Sequence, residues 1–360
     1  VWVTQPDALL LDEPTNHLDA EKIALLEAWI TGPAARTPML IARHDRSFLD
    51  HCTTRTLFLR PGVSQLYAHP YSRARQLLAE DDAAQARQHA RDSREVDRLR
   101  RNAAALRNVG VNSGSDLLQK KSMQLRDRAA RLEQSLRPAH AERPGDIRLA
   151  SSGTHAKVLV ACRDVDVTTP DGRRLFAIAR LELRQGDRLV LLGRNGVGKS
   201  RLVELLRRAV RDGAAGVQVS PSVILGHAAQ GMAQLPDDLS PQRCVAATPG
   251  IGDGRAMSLL AGAGIDVAAQ ARPIRALSAG QRARPGLLAL RLAEPNFYLL
   301  DEPTDHVDIA GQEALEAELL AQGATCVLVS HDRSFVRAVG TRFLLIADGR
   351  VREVAPPGPD

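Results

Sequence analysis

The sequence predicts an α/β protein made of two unequal copies of one domain type, joined by an antiparallel pair of long helices. Three observations carry this. LLLDEPTNHLD at 9–19 returns as YLLDEPTDHVD at 298–308, and ARHDRSFLD at 42–50 returns as VSHDRSFVR at 329–337. An apolar strand, a glycine-rich loop and a helical stretch follow one another across residues 188–211. Between the copies, residues 71–108 and 115–137 contain no Pro or Gly and are dense in good helix formers.

Only 11 residues precede Asp12, whereas the second copy has more than 100 residues before Asp301. The first copy therefore lacks its front half, and a chain that begins at Val1 rather than Met reads as N-terminally incomplete. The boundaries expected are 1–66 for the partial first copy, 67–155 for the helical linker and 156–360 for the complete second copy.

In the linker, Val96, Leu99, Ala103 and Leu106 on one helix, and Leu118, Leu125, Ala129, Leu132 and Leu136 on the other, fall at heptad spacing. Gly110, Asn112, Ser113 and Gly114 predict the turn between them, and Pro138, Pro144, Gly145, Ser151, Ser152 and Gly153 an exit linker. The whole chain carries 48 Lys+Arg against 42 Asp+Glu, and residues 70–145 hold 16 basic and 10 acidic side chains. All of the net charge of +6 thus sits in this segment. It is a candidate for touching a polyanionic backbone, with Arg100, Arg101, Arg107, Lys120 and Lys121 on phosphates. A spacer between two domains is the plainer reading of the same residues.

Hydrophobic residues at 44% and charged residues at 25% exclude a disordered or fibrous chain. No apolar run approaches the ~20 residues that span a bilayer, and no secretory leader opens the chain. Cys52, Cys162, Cys244 and Cys326 are scattered without a Cys-x-x-Cys pair, which suits buried thiols in a reducing, cytoplasmic setting.

The second copy opens with strand-like runs at 157–167, 173–183 and 188–192. The last leads straight into Gly193, Arg194, Asn195, Gly196, Val197, Gly198, Lys199 and Ser200, which match the P-loop pattern G-x-x-x-x-G-K-[ST]. Its amides and the helix that follows can surround phosphates, Lys199 can reach the terminal ones, and the Ser200 hydroxyl can hold Mg²⁺. A buried strand at 297–300 ends in Asp301 and Glu302. The first would hold Mg²⁺ and the second would polarise the attacking water. His331 follows a further strand at 325–329 and would face the γ-phosphate.

LSAGQ at 277–281 makes a resemblance specific. With GRNGVGKS, YLLDEP, DHVD, His331 and Gln230 in HAAQ, it resembles the ordered motif set of ABC ATPases. Two tandem copies joined by a basic helical hairpin resemble the ABC-F family in particular. That resemblance implies P-loop NTPase domains of the ABC type that bind ATP with Mg²⁺ and hydrolyse it, and a hairpin that enters the ribosome beside tRNA. It implies a role as translation factor or as antibiotic-resistance ribosome protection. Residue by residue it implies catalytic roles for Glu302, His331, Glu13 and His44. Nucleotide contacts would come from residues 193–200 with Arg201, Gln230, Ser278, Gly280 and Gln281, and metal contacts from Ser200, Gln230 and Asp301.

An ABC site is composite, so the truncation leaves two incomplete halves. Glu13 and His44 would face the Ser278 signature without a P-loop, and Lys199 and Glu302 would face no signature. Head-to-tail pairing of two chains, Lys199 of one against Ser278 of the other, would restore a site. The alternatives are a transporter's ATPase subunit and a truncated non-catalytic RNA binder. Further departures from the family pattern are Arg201 for Thr, Arg43 for Ser, Asp305 for Asn and no aromatic residue at 167–170. Pro285 falls inside the helix that LSAGQ starts, predicting a kink there and a higher melting temperature for Pro285→Leu.

Overall fold

In the computed structural model, residues 6–15, 18–60, 63–135, 149, 156–305 and 307–357 are described. They form two compact units, one of residues 1–52 with 143–360 and one of residues 53–142. The predicted exit linker, with Leu136 and Arg137, lies outside the described residues.

In the first unit, the partial copy contributes β1 (Leu9–Asp12), α1 (Ala20–Thr31), β2 (Met39–Ala42) and α2 (Arg46–Cys52). β1 and β2 pair in parallel with Asp12 opposite Ala42. Ile23 and Ile30 of α1 and Phe48 of α2 form its small core against Leu11, Ile41 and Trp29. Asp19 caps α1 by accepting from the Lys22 amide at 3.1 Å.

The second unit holds the hairpin β3 (Thr56–Phe58) and β4 (Gln65–Tyr67), then α3 (Tyr71–Ser113) and α4 (Asp116–Ser135). Phe58 lies against Tyr67 and Tyr71 at ring-centroid distances of 5.9 and 6.0 Å, and Arg60 pairs with Asp82 at 2.7 Å. α3 has 43 residues, roughly 65 Å at 1.5 Å per residue. Val96, Leu99 and Ala129 are buried on the heptad seam, flanked by Leu125 and Leu132. Buried Ser122 donates to the Ala103 carbonyl at 2.8 Å and ties the helices together near the tip. The turn is shorter than the glycine and asparagine pattern predicts. The helix runs on through Gly110 to Ser113 and reverses at Gly114, φ +64°. One glycine in a helix costs only about 1 kcal/mol, which the helical hydrogen bonds on either side outweigh.

The complete copy in the first unit contains β5 (Val158–Thr168), β6 (Arg174–Arg184), β7 (Arg188–Leu192), α5 (Lys199–Asp212), β8 (Val217–Val219) and β9 (Leu225–Ala228). After these come α6 (Pro241–Ala246), α7 (Asp253–Gly262), α8 (Val267–Ala271) and α9 (Ala279–Leu292). The copy closes with β10 (Phe297–Asp301), α10 (Ile309–Ala321), β11 (Thr325–Val329), α11 (Arg333–Val339), β12 (Arg342–Ala347) and β13 (Arg350–Val354). Among the described residues these strands make one nine-stranded sheet in the order β8-β5-β6-β13-β12-β7-β11-β10-β9. Strands β9, β10, β11, β7 and β12 are mutually parallel. β5 is antiparallel to β6 and β8.

β10 and β11 are buried at every residue, as central parallel strands covered on both faces should be. Phe297 and Leu299 point into the core that contains Leu202 and Leu206 of α5. Tyr298 and Leu300 point into the other, which contains Leu287 of α9 and Leu315 of α10. Because parallel strands carry their ligands beyond their carboxyl ends, the ends of β7, β10 and β11 mark one edge of the sheet as the place to look.

α9 is one unbroken helix with Pro285 buried inside it. The proline has no amide proton for the Gln281 carbonyl, and the adjacent Gly286 is where a Cβ would meet Met232 Sδ at 2.6 Å. Bulk is therefore unwelcome beside this position, and Pro285→Ala is a sharper test than the leucine variant. It restores the donor without adding volume and is expected to raise stability by about 1–3 kcal/mol, read as the melting temperature. An unchanged or lower value would show that ring packing outweighs the lost hydrogen bond.

Candidate active site at the carboxyl edge of the sheet

Three glycines shape the loop after β7. Gly193, Gly196 and Gly198 have φ of +148°, +79° and +112°, values closed to most side chains. A Cβ on Gly193 would lie 2.7 Å from the Ile346 carbonyl oxygen, and one on Gly198 would lie 2.9 Å from Leu175 and Phe176. The loop is thus pressed against the sheet and lines a concavity. α5 begins at Lys199 without a side-chain cap, so its first N–H groups and the positive end of its dipole face the same space.

That space is a cavity of about 400 Å³. It collects Asn195, Gly196, Gly198, Lys199, Ser200, Arg201, Gln230, Asp301, Glu302 and His331. Lys199 Nζ donates to the Gly193 and Arg194 carbonyls at 2.7 and 3.3 Å, and burial holds its pKa below the usual lysine value. Asp301 is pushed up by burial and accepts from the Ser200 hydroxyl. Glu302 sits at a left-handed φ of +49° that the β10–β11 pairing enforces, its amide donating to the Val329 carbonyl at 2.8 Å. Burial pushes its carboxyl up to about 8. His331 lies with Nε2 3.3 Å from Glu302 Oε1 and donates its backbone amide to Oε2 at 3.1 Å. Burial, with the Lys199 charge second, pushes the imidazole down to about 4, so it is neutral near pH 7.

The partial copy repeats the geometry. Glu13 has φ +45°, its amide donates to the Ala42 carbonyl at 2.8 Å, and His44 Nε2 is 3.5 Å from its Oε1. Glu13 also accepts from Arg43 at 2.7 Å. His44 lines a second cavity of about 330 Å³ with Ser278, Gly280, Gln281 and Arg284. Ser278 and Gln281 there form a capping box that starts α9. The predicted residues therefore separate into two groups: Lys199, Ser200, Asp301, Glu302 and His331 in one cavity, Ser278, Gly280, Gln281 and His44 in the other. Gly193 supplies a carbonyl to Lys199, Val197 packs on the core, and Arg194 reaches Glu21 at 3.4 Å, so these three shape the loop without lining the cavity.

The two copies meet along matched segments. Arg46 pairs with Glu316 at 2.8 Å and Arg333 with Glu27 at 3.1 Å, the same positions of the repeat in reciprocal roles. Asp19 accepts weakly from the Asn195 amide of the P-loop at 3.5 Å. Thr15, Arg43, Thr169 and Arg173 also line the first cavity. Sequence reasoning treated Arg43 only as a departure and did not single out Thr15. The signal available was the repeat itself, since Thr15 answers to Thr304 and Arg43 to Ser330.

The arm residues Arg101, Arg107, Lys120 and Lys121 are exposed, while Arg100 is paired with Glu133 across the helix seam. Cys162 and Cys326 are buried, and Cys52 and Cys244 half-buried, with no disulfide among them. Among the described residues no helix is long and apolar enough to cross a membrane.

Residues 177–305 match the family described as ABC transporter. The ABC transporter F family member 5 of Arabidopsis thaliana is 29% identical over 99% of this chain and 51% of its own length. The ribosome protection protein VmlR of Bacillus subtilis is 27% identical over 96% of this chain and 66% of its own. The archaeal ribosome recycling factor aABCE1, solved with the stalk protein aP1, shares the fold with a TM-score of 0.57 at 18% identity, over 95% of this chain and 59% of that one. The chain thus spans about half to two thirds of the curated relatives it matches. A P-loop, an acidic strand end and a histidine on one sheet edge, a repeat of the last two, a match of residues 177–305 to the ABC transporter family and 29% identity to an F family member over nearly the whole chain make this chain similar to ATP-binding cassette proteins.

Proposed function

We propose that the chain binds ATP with Mg²⁺ at the second copy's P-loop, hydrolyses it, and acts on the ribosome as an ABC-F protein. The observation that carries the catalytic half is the single cavity uniting Lys199, Ser200, Asp301, Glu302 and His331. In this reading residues 1–66 are the C-terminal part of a first ABC domain, 67–155 the linker arm and 156–360 the second domain. Ser200 and Asp301 offer oxygen donors only, and among the described residues no group of three or more His, Cys, Asp or Glu is placed to hold a metal ion by itself. This suits Mg²⁺, which is held by one or two protein oxygens with phosphate oxygens and water completing the shell. The ion would neutralise phosphate charge.

The chain's own residues do the rest. Loop amides and the α5 N-terminus bind the phosphates, and Lys199 turns from its loop carbonyls to the terminal ones. Glu302, a carboxyl raised toward neutrality, takes the proton of the attacking water as its oxygen bonds to the γ-phosphorus and the bond to the β–γ bridging oxygen breaks. Neutral His331 holds that carboxylate in place through Nε2. Gln230, at the cavity wall, contributes to the metal and phosphate side. Phosphate release by the purified chain tests this half.

Support for the ribosome comes from the exposed basic arm and from similarity to the ribosome protection protein VmlR. Reversing Lys120 and Lys121 to glutamate is expected to weaken co-sedimentation with ribosomes and to flatten its salt dependence by the two lost phosphate contacts. No change in either would return the arm to a spacer. Head-to-tail pairing of two second copies would first require the partial copy to leave the P-loop face, where Asp19 meets Asn195 and Glu21 meets Arg194.

A further inference from the structure

Two sets of residues wall the P-loop cavity. Lys199, Ser200, Asp301 and Glu302 suit phosphates and a metal ion, whereas Thr169, Arg173, Leu175 and Arg201 gather around the β5–β6 turn. That turn is closed on itself. Thr169 donates its amide to the Arg173 carbonyl at 2.9 Å, and its hydroxyl accepts from the Arg173 amide at 3.1 Å. Gly172, at φ +85°, donates to the Thr169 carbonyl at 3.0 Å. The turn therefore keeps its shape without a ligand.

Leu175 is half-buried and abuts the P-loop, where a Cβ on Gly198 would lie 2.9 Å from it. Arg201, in the first turn of α5, reaches toward the same place. Its Nε donates at 3.2 Å to the carbonyl of Thr168, the last residue of β5. This bond holds the guanidinium at the end of β5 and leaves both of its NH₂ groups for other partners. The carboxylates whose charges reach the two arginines are engaged elsewhere. Glu204 binds Arg207 through hydrogen bonds of 2.7 and 2.8 Å, and Asp171 accepts from the Thr169 hydroxyl and from its own amide.

With phosphates on the loop and Lys199, the rest of a nucleotide must leave past Gly198, onto Leu175 and the turn. Among the described residues no Phe, Tyr or Trp lines this cavity. A guanidinium is planar and stacks on aromatic faces, and every nucleobase presents such a face. We infer that Arg201 and Arg173 bind the base of the nucleotide, with Leu175 beneath it, and do not bind its phosphates. This rests on the proposed reading of the P-loop cavity and names how that site holds the nucleoside.

The test compares ADP with pyrophosphate, each with Mg²⁺, on the full chain, pyrophosphate being read by competition against labelled ADP. Arg201→Ala is expected to weaken ADP about ten-fold and the more exposed Arg173→Ala about three-fold, the range for guanidinium stacking, with pyrophosphate unchanged. Arg201→Lys and Arg173→Lys keep the charge and lose the plane, so they should weaken ADP nearly as much as alanine does. That comparison decides the matter on ADP alone. Melting temperatures near that of the parent show that the variants fold, and Arg173→Ala, in an exposed turn, carries the test should Arg201→Ala fail to. Equal losses for ADP and pyrophosphate, or recovery of ADP binding by lysine, would make the arginines phosphate ligands and overturn the inference. ADP binding at the parent affinity in both alanine variants would overturn it too. Lys199→Ala separates the two claims. If it weakens both ligands while the arginine variants leave ADP unchanged, the cavity reading stands and this inference fails. If Lys199→Ala binds both at the parent affinity, the cavity reading fails first.

Discussion

Replacing Glu302 with glutamine is expected to slow ATP hydrolysis by about a hundred-fold or more while leaving nucleotide affinity within a few-fold of the parent. The glutamine keeps the size and the hydrogen bond from the His331 amide, now at 3.1 Å to Glu302 Oε2, but cannot take a proton from water. Affinity is set elsewhere, by the loop amides, the α5 N-terminus and Lys199. The contrast with Lys199→Ala makes the experiment sharp: that variant is expected to lose affinity first. Phosphate release and nucleotide binding measured on both variants would give opposite patterns. A Glu302→Gln chain that turned over at the parent rate would place the base elsewhere. A parent chain without turnover, but with tight binding, would make this a nucleotide-gated binder.

The strands and helices that carry the site were legible because each has a strong local signal. Phe297–Asp301 and Thr325–Val329 are continuous apolar runs ended by charge, and the P-loop has its glycines at positions where only glycine fits. The duplication gave the acidic pair and the histidine twice, and the structure repeats even the left-handed backbone of Glu13 and Glu302. What sequence could not supply was the relation between copies. That Ser278 and Lys199 line different cavities, or that Arg43 reaches the cavity of the other copy, depends on docking between segments nearly 300 residues apart. Local patterns carry no information about such contacts. The hairpin turn shows the opposite failure: Gly110 and Asn112 are turn-forming residues, but a 43-residue helix propagates through them.

Docking of the partial copy should depend on its reciprocal ion pairs. Arg46–Glu316 and Arg333–Glu27 are partly buried at side-chain exposures of 16%/21% and 18%/10%, so removing one partner strands a charge in a poorly solvated place. Arg46→Glu sets it against both Glu316 and Glu313, the latter 3.6 Å from Arg46 in the parent. The expected loss is about 2–4 kcal/mol, less than for a fully buried pair and well above an exposed one. Nearby Asp332, pushed up to about 6 by burial and by Asp45, gains a second unfavourable carboxylate neighbour. The swap Arg46→Glu with Glu316→Arg should recover a substantial part of the loss, a coupling visible in a double-mutant cycle of melting or denaturant midpoints. The same undocking would carry Thr15 and Arg43 away from the P-loop cavity. No loss of stability at all would show that the pairs are surface ornaments of the interface rather than what holds it.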